Sequence, residues 1–146
     1  MNKKLIFAAL LLSAAFGGDI EISDAYARTS MPGVLNSAAF MTIKNNSDKD
    51  VNLIAANTDK SDVTELHTHI NENGMMKMQK VDFIKIPAKS QSVLKPGSDH
   101  IMLMNLPTPI KEGDEIAINL KFDNNENLNI SVKAKDIKKM MNHKKH

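Results

Sequence analysis

The sequence predicts an all-β fold, an antiparallel β-sandwich of Greek-key type. Short runs alternate apolar and polar residues, turn signals recur between them at close intervals, and no helical period of any length appears. The 146 residues suffice for one domain with a real core, and no internal repeat or second domain interrupts the pattern.

The elements follow in order. "MNKKLIFAALLLSAAFGG" has a basic start (Lys3, Lys4), an apolar run and then small residues, the form of a secretory signal peptide. The cut is expected near Gly17 or Gly18, which assigns 1–17 to the signal peptide and 18–134 to the sandwich. An uncleaved anchor is disfavoured, because the apolar run falls short of the roughly 20 residues of a membrane span. The chain has no cysteine, so nothing at the cut can be lipidated and no disulfide can staple the domain.

Alternation begins at Ile20-Glu21-Ile22. A strand over 37–44 ends in the polar turn "NNSDKD", and 51–56 follows until "TDKSD" breaks it. The segment "VTELHTHI" (63–70) alternates, "NENG" (71–74) turns, and "MMKMQKV" (75–81) returns. "FIKI" stops at Pro87 and "QSVLK" at Pro96-Gly97, after which "HIMLMNL" runs on. Residues 115–122 and 128–134 alternate strictly across the turn "DNNEN". Eight or nine strands are expected, then a flexible basic tail over 135–146.

Composition narrows the function. The 19 basic and 17 acidic residues balance once Lys3 and Lys4 are set aside, which argues against a nucleic-acid partner. No HExxH, nucleophile elbow, phosphate loop or thiol is present, so no enzyme is expected. Asp99 and Glu65 are the only carboxylates near the histidines that could serve acid–base chemistry, and they read more simply as ordinary surface groups.

Ten Met and five His stand beside no Cys and no Trp. His67, His69, His100, Met75, Met76, Met78, Met102 and Met104 all fall within 67–104. Methionine often fills cores, the expected role of Met31 and Met41. Packing alone, however, would put Met on the face shared by Ile and Leu. In "SDHIMLMN" His100, Met102 and Met104 alternate with Ile101 and Leu103 and so occupy the opposite face. If 71–74 form the whole turn, His67 opposes Met78 and His69 opposes Met76. Opposed residues have Cβ atoms about 5 Å apart and share a face. Two imidazoles and two thioethers then converge if the 100–104 strand lies alongside. Thioether with imidazole selects Cu(I).

The spacing H-x10-M-x21-H-x-M, at His67, Met78, His100 and Met102, resembles the signature of the PCu(A)C family of periplasmic copper chaperones. "ELH", "GMMKMQKV", "LKPGSDHIMLMNL", "KEGD" and the opening "DAYART…PG…NSAAFMTIKN" are similar to the family's as well, over roughly 19–134. The resemblance implies a cupredoxin-like fold in the periplasm and delivery of copper to a cytochrome c oxidase subunit, often alongside a Sco-type protein. It implies Cu(I) ligation by His67, Met78, His100 and Met102. Many relatives have Met where this chain has His69, so His69 with Met76 reads as a spare donor pair or an exit path, and Met104 and Met75 as supporting. Some relatives bind a second copper on a C-terminal extension. His143 and His146, beside Met140 and Met141, are the matching candidates for Cu(II), against a plain solvated tail. No stable membrane span is expected. The competing functions are copper storage or resistance, and a metal-free secreted β-sandwich interaction module.

Overall fold

The computed structural model describes residues 14–138, with side chains from Gly18 onward. Most of the expected signal peptide, and Met140, Met141, His143 and His146, lie outside the described residues.

Eleven strands are present: β1 (Ala14–Gly17), β2 (Ile20–Arg28), β3 (Ser37–Asn45), β4 (Val51–Thr58), β5 (Val63–Glu72), β6 (Met75–Val81), β7 (Ile84–Ile86), β8 (Ser90–Leu94), β9 (His100–Met104), β10 (Glu115–Phe122) and β11 (Asn127–Lys135). Every segment expected as a strand is one. The addition is β1, which pairs with β2 inside the stretch assigned to the signal peptide.

Hydrogen bonding runs β6-β5-β9-β3-β2-β11-β10-β4-β7, with β8 also on β3. All pairs are antiparallel except β2 with β11, which run parallel, a departure from the wholly antiparallel expectation. Strands from both ends of this path feed one buried cluster: Leu66 of β5, Ile101 and Leu103 of β9, Met41 and Ile43 of β3, Ile118 and Leu120 of β10, Leu53 of β4 and Ile86 of β7. Strands from both ends of the open path therefore share the main core. In β11 every second residue is buried, Leu128, Ile130, Val132 and Ala134, as a half-solvated strand requires. Met41 is buried as expected, whereas Met31 is 55% exposed and fills no core gap.

Two features shape the other side of the sheet. The register of β2 against β3 shifts by one between Ser23 and Tyr26, and Asp24 takes a positive φ of 53°. This β-bulge exchanges the faces of the residues after it. Ile20 and Ile22 point into the core, Ala27 does so after the bulge, and Tyr26 turns outward against Phe40, ring centroids 5.2 Å apart. A second small buried cluster forms there from Ala38, Phe40 and Met102, with Tyr26, Met104 and Ile137 packed on it. Strands β3 and β9 are thus covered on both faces. The ordered domain also continues past the expected boundary at 134, since Lys135 still pairs with Arg28 and Ile137 joins this outer cluster.

Candidate metal centre

The centre sits on that outer face, at the β6 end of the sheet. Its geometry starts at the β5–β6 turn. Asn73 and Gly74 both take positive φ, 54° and 83°, the type I′ geometry that Asn-Gly favours. The turn therefore spans two residues and not four. Glu72 pairs with Met75, Asn71 with Met76, His69 with Met78 and His67 with Lys80. The expected oppositions of His67 to Met78 and of His69 to Met76 are not made. Because the displacement is two residues, every side chain keeps its face, so His67, His69, Met76 and Met78 still share one side. Met75 falls on the other.

On the opposite edge of β5, His67 pairs with His100, Glu65 with Met102 and Val63 with Met104. His67 thus lies between Lys80 and His100, and the imidazole rings of His67 and His100 are 5.7 Å apart. His100 reaches across β5 to Met78, its Nε2 being 3.2 Å from Sδ. Met102 is buried against Ala38 and Phe40, and Phe40 is also the ring neighbour of His100 at 6.2 Å. The structure brings His67, Met78 and His100 together at ring and sulfur distance. Met102 stands one alternation along β9 on the same side. Met104 packs farther out on the same apolar cluster, and Met76 lies beyond Met78 toward the hairpin tip.

Hydrogen bonds decide which nitrogen of each ring is free. The turn Lys95-Pro96-Gly97-Ser98 closes with Ser98 N–H donating to the Lys95 carbonyl, 3.0 Å, Gly97 supplying a φ of 84°. Proline then glycine at the centre is the type II pattern. The turn presents the Ser98 carbonyl oxygen to His100 Nδ1 at 2.8 Å. A carbonyl only accepts, so Nδ1 carries the proton and the neutral ring turns its Nε2 lone pair toward Met78. Two lone-pair atoms facing one another satisfy a soft cation and not each other. Burial pushes the His100 pKa down, more than the Ser98 carbonyl raises it, with His67, His69 and Arg28 lowering it further. The neutral ring is accordingly the favoured form.

His67 is arranged the other way round. Its Nε2–H donates to the Glu65 carboxylate at 2.8 Å, and its buried Nδ1 has no hydrogen-bond partner. That bond is the main reason the Glu65 carboxyl is held below its usual range. Glu65 is thus a partner of the centre and not the ordinary surface group that it reads as in the sequence. Asp99 accepts from the Thr68 hydroxyl, which ties the β8–β9 turn to β5.

His67, His100 and Met102 are each less than a tenth exposed, while Met78 is 50% exposed. The centre is closed on the sheet side and open toward Met78. Among the described residues no three His, Cys, Asp or Glu side chains group into a metal site, so the convergent donors are imidazole and thioether. Among them, too, no helix is long and apolar enough to cross a membrane. Sequence reasoning missed Ser98, which acts through its backbone, Phe40, which lies on a strand apolar on both sides, and Tyr26, which the β2 bulge turns outward. Glu65 had a signal, since alternation places it on the His67 face.

The family model described as "Putative lipoprotein LpqE-like" matches residues 20–134. A Leifsonia xyli protein named "Putative lipoprotein Lxx21020" is 30% identical over 80% of this chain and 70% of its own. An uncharacterized Rickettsia prowazekii protein is 38% identical over 69% of this chain, which spans 56% of that relative's length. Among solved structures, DR1885 of Deinococcus radiodurans, determined in its Cu(I) form, is 31% identical with a TM-score of 0.66, covering 84% of this chain and 80% of that one. The copper-bound PCuAC domain of PmoF2 superposes with a TM-score of 0.73 at 19% identity over 84% and 97% of the two chains, a likeness of fold. The chain belongs to the LpqE-like family and has the cupredoxin-like fold of the PCuAC domains.

Proposed function

We propose that this PCuAC-like chain is a copper carrier of the cell envelope, working in the periplasm, that holds one Cu(I) through His67, Met78, His100 and Met102 and gives it up to a respiratory oxidase. The observation that carries the reading is the pair His100 Nε2 and Met78 Sδ, 3.2 Å apart, beside a buried His67 Nδ1 without a partner. Neutral thioethers and imidazoles match Cu(I), and a donor set without thiolate keeps its function in an oxidising compartment. The solution structure of DR1885 in its Cu(I) form supports the same cargo here.

The chain's own residues supply both holding and release. Ser98 and Glu65 fix the ring tautomers, so the lone pairs need no reorganisation when the ion arrives. Phe40 and Ala38 exclude water behind Met102. The ligands add no charge, and Glu65 reaches the ion only through His67. A thiolate site in a cytochrome c oxidase subunit or a Sco-type protein therefore draws Cu(I) away by ligand exchange, with Met78, the exposed donor, released first. No bond of a substrate is made or broken, in keeping with a carrier and not an enzyme.

A Cu(I) competition titration against a chromophoric chelator tests this on wild type, His100→Ala and Met78→Ala. One tight equivalent in wild type, weakened in both variants, is expected. Several equivalents per chain would favour storage, and no equivalent would remove the reading.

A further inference from the structure

His69 lies outside the four-ligand set, yet its surroundings match those of His100. Its Nδ1 is 3.0 Å from the Ser98 carbonyl oxygen, the atom that also accepts from His100 Nδ1. One carbonyl oxygen, with two lone pairs, thus takes an N–H from each ring. Both rings then carry the proton on Nδ1, and both keep a lone pair on Nε2. The His69 and His100 rings lie 5.4 Å apart, closer than His67 and His100. His69 is also the residue directly opposite Met78, whose sulfur is the atom in contact with His100. A half-buried histidine serving only to tie β5 to the β8–β9 turn would need that single hydrogen bond. It would not need the neighbouring thioether or a second ring held in the same tautomer.

We propose that His69 is a further copper ligand, oriented by the Ser98 carbonyl, which pairs its imidazole with that of His100 around Met78 and lets the centre hold Cu(II) as well as Cu(I). This rests on the copper reading above. Imidazole suits both oxidation states, whereas thioether selects Cu(I). Exchanging the His69 nitrogen for sulfur therefore discriminates between them.

The test is a pair of titrations of the full chain carrying His143→Asn and His146→Asn, so that the tail imidazoles cannot contribute. Cu(II) binding is followed by electron paramagnetic resonance and by competition with glycine, and Cu(I) binding by the chromophoric chelator. Adding His69→Met is expected to leave Cu(I) affinity within about threefold, to weaken Cu(II) about tenfold or more, and to reduce the nitrogen superhyperfine couplings. His69→Gln, whose amide can still donate to the Ser98 carbonyl but offers no imidazole lone pair, should lose Cu(II) likewise and keep the thermal midpoint of wild type. Cu(II) affinity and spectrum unchanged by both substitutions would overturn the proposal. Failure of the His69-intact chain to bind Cu(I) would remove the parent reading alone, and the Cu(II) titration would still decide the role of His69.

Discussion

Removing the carboxylate behind His67 tests the centre without touching a proposed ligand. Glu65 Oε1 lies 2.8 Å from His67 Nε2, a charge-assisted hydrogen bond that fixes the ring and leaves the buried Nδ1 without a partner. In Glu65→Ala the ring loses that partner, and the free protein can place its proton on either nitrogen. Outer-sphere partners of this kind change metal affinity by about 10- to 100-fold, roughly 1.4 to 2.7 kcal/mol. Glu65→Gln keeps an acceptor oxygen without the charge and should lose about tenfold or less. Folding stability should move little, because the carboxylate is solvated and an exposed pair of this kind adds little to folding. Cu(I) competition titrations give the affinities, and urea unfolding gives the stability. The ordering wild type, then Glu65→Gln, then Glu65→Ala is expected. Both variants binding as wild type, while His67→Ala does not, would refute a role for this hydrogen bond.

Strand β9 should respond differently on its two faces. Ile101→Ala, at a fully buried site, should cost about 2–5 kcal/mol of folding free energy in urea. Met102→Leu should cost less than about 1.5 kcal/mol yet weaken Cu(I) binding; equal effects on folding would contradict the two-faced reading. Gly74→Ala meets no atom within 4 Å but must hold the positive φ of 83°, so about 1–2 kcal/mol should be lost to backbone strain alone. The stability of the copper-free protein should fall as the pH drops below about 6.5, the value of an unfolded histidine. Burial holds the folded His100 pKa lower, so in that window the unfolded chain binds the extra proton and unfolding is favoured. His100→Gln should flatten the change in urea midpoint between pH 7 and pH 5.5, and an unaltered slope would show that another group sets it. Glu65, whose pKa is lowered, contributes stability that is lost only at more acid pH and so leaves this comparison clear.

Much of this fold was legible because alternation reports faces directly. In β10 and β11 every second residue is apolar and buried, and in β9 the same rule separated His100 and Met102 from Ile101 and Leu103. What alternation cannot report is register. The pair Asn73-Gly74 carried the two-residue turn signal, but reading "NENG" as a four-residue turn moved Met78 from His69 to His67. The error kept each residue on its side because the displacement was even. The Ser98 carbonyl was invisible for another reason: a backbone atom has no residue preference, and only "KPGS", as a type II turn, hinted at where it points. The bulge at Asp24, which puts Tyr26 over Phe40, likewise left no pattern, since a single inserted residue in a half-apolar strand reads as ordinary variation.

Copper K-edge X-ray absorption on the one-to-one Cu(I) complex at neutral pH reads the proposed site of two imidazoles and two thioethers. Wild type should show nitrogen and sulfur together in the first shell. Met78→Leu/Met102→Leu should lose the sulfur while keeping the nitrogen. A first shell without sulfur in wild type, or sulfur unchanged in the double variant, would rule out thioether ligation by Met78 and Met102.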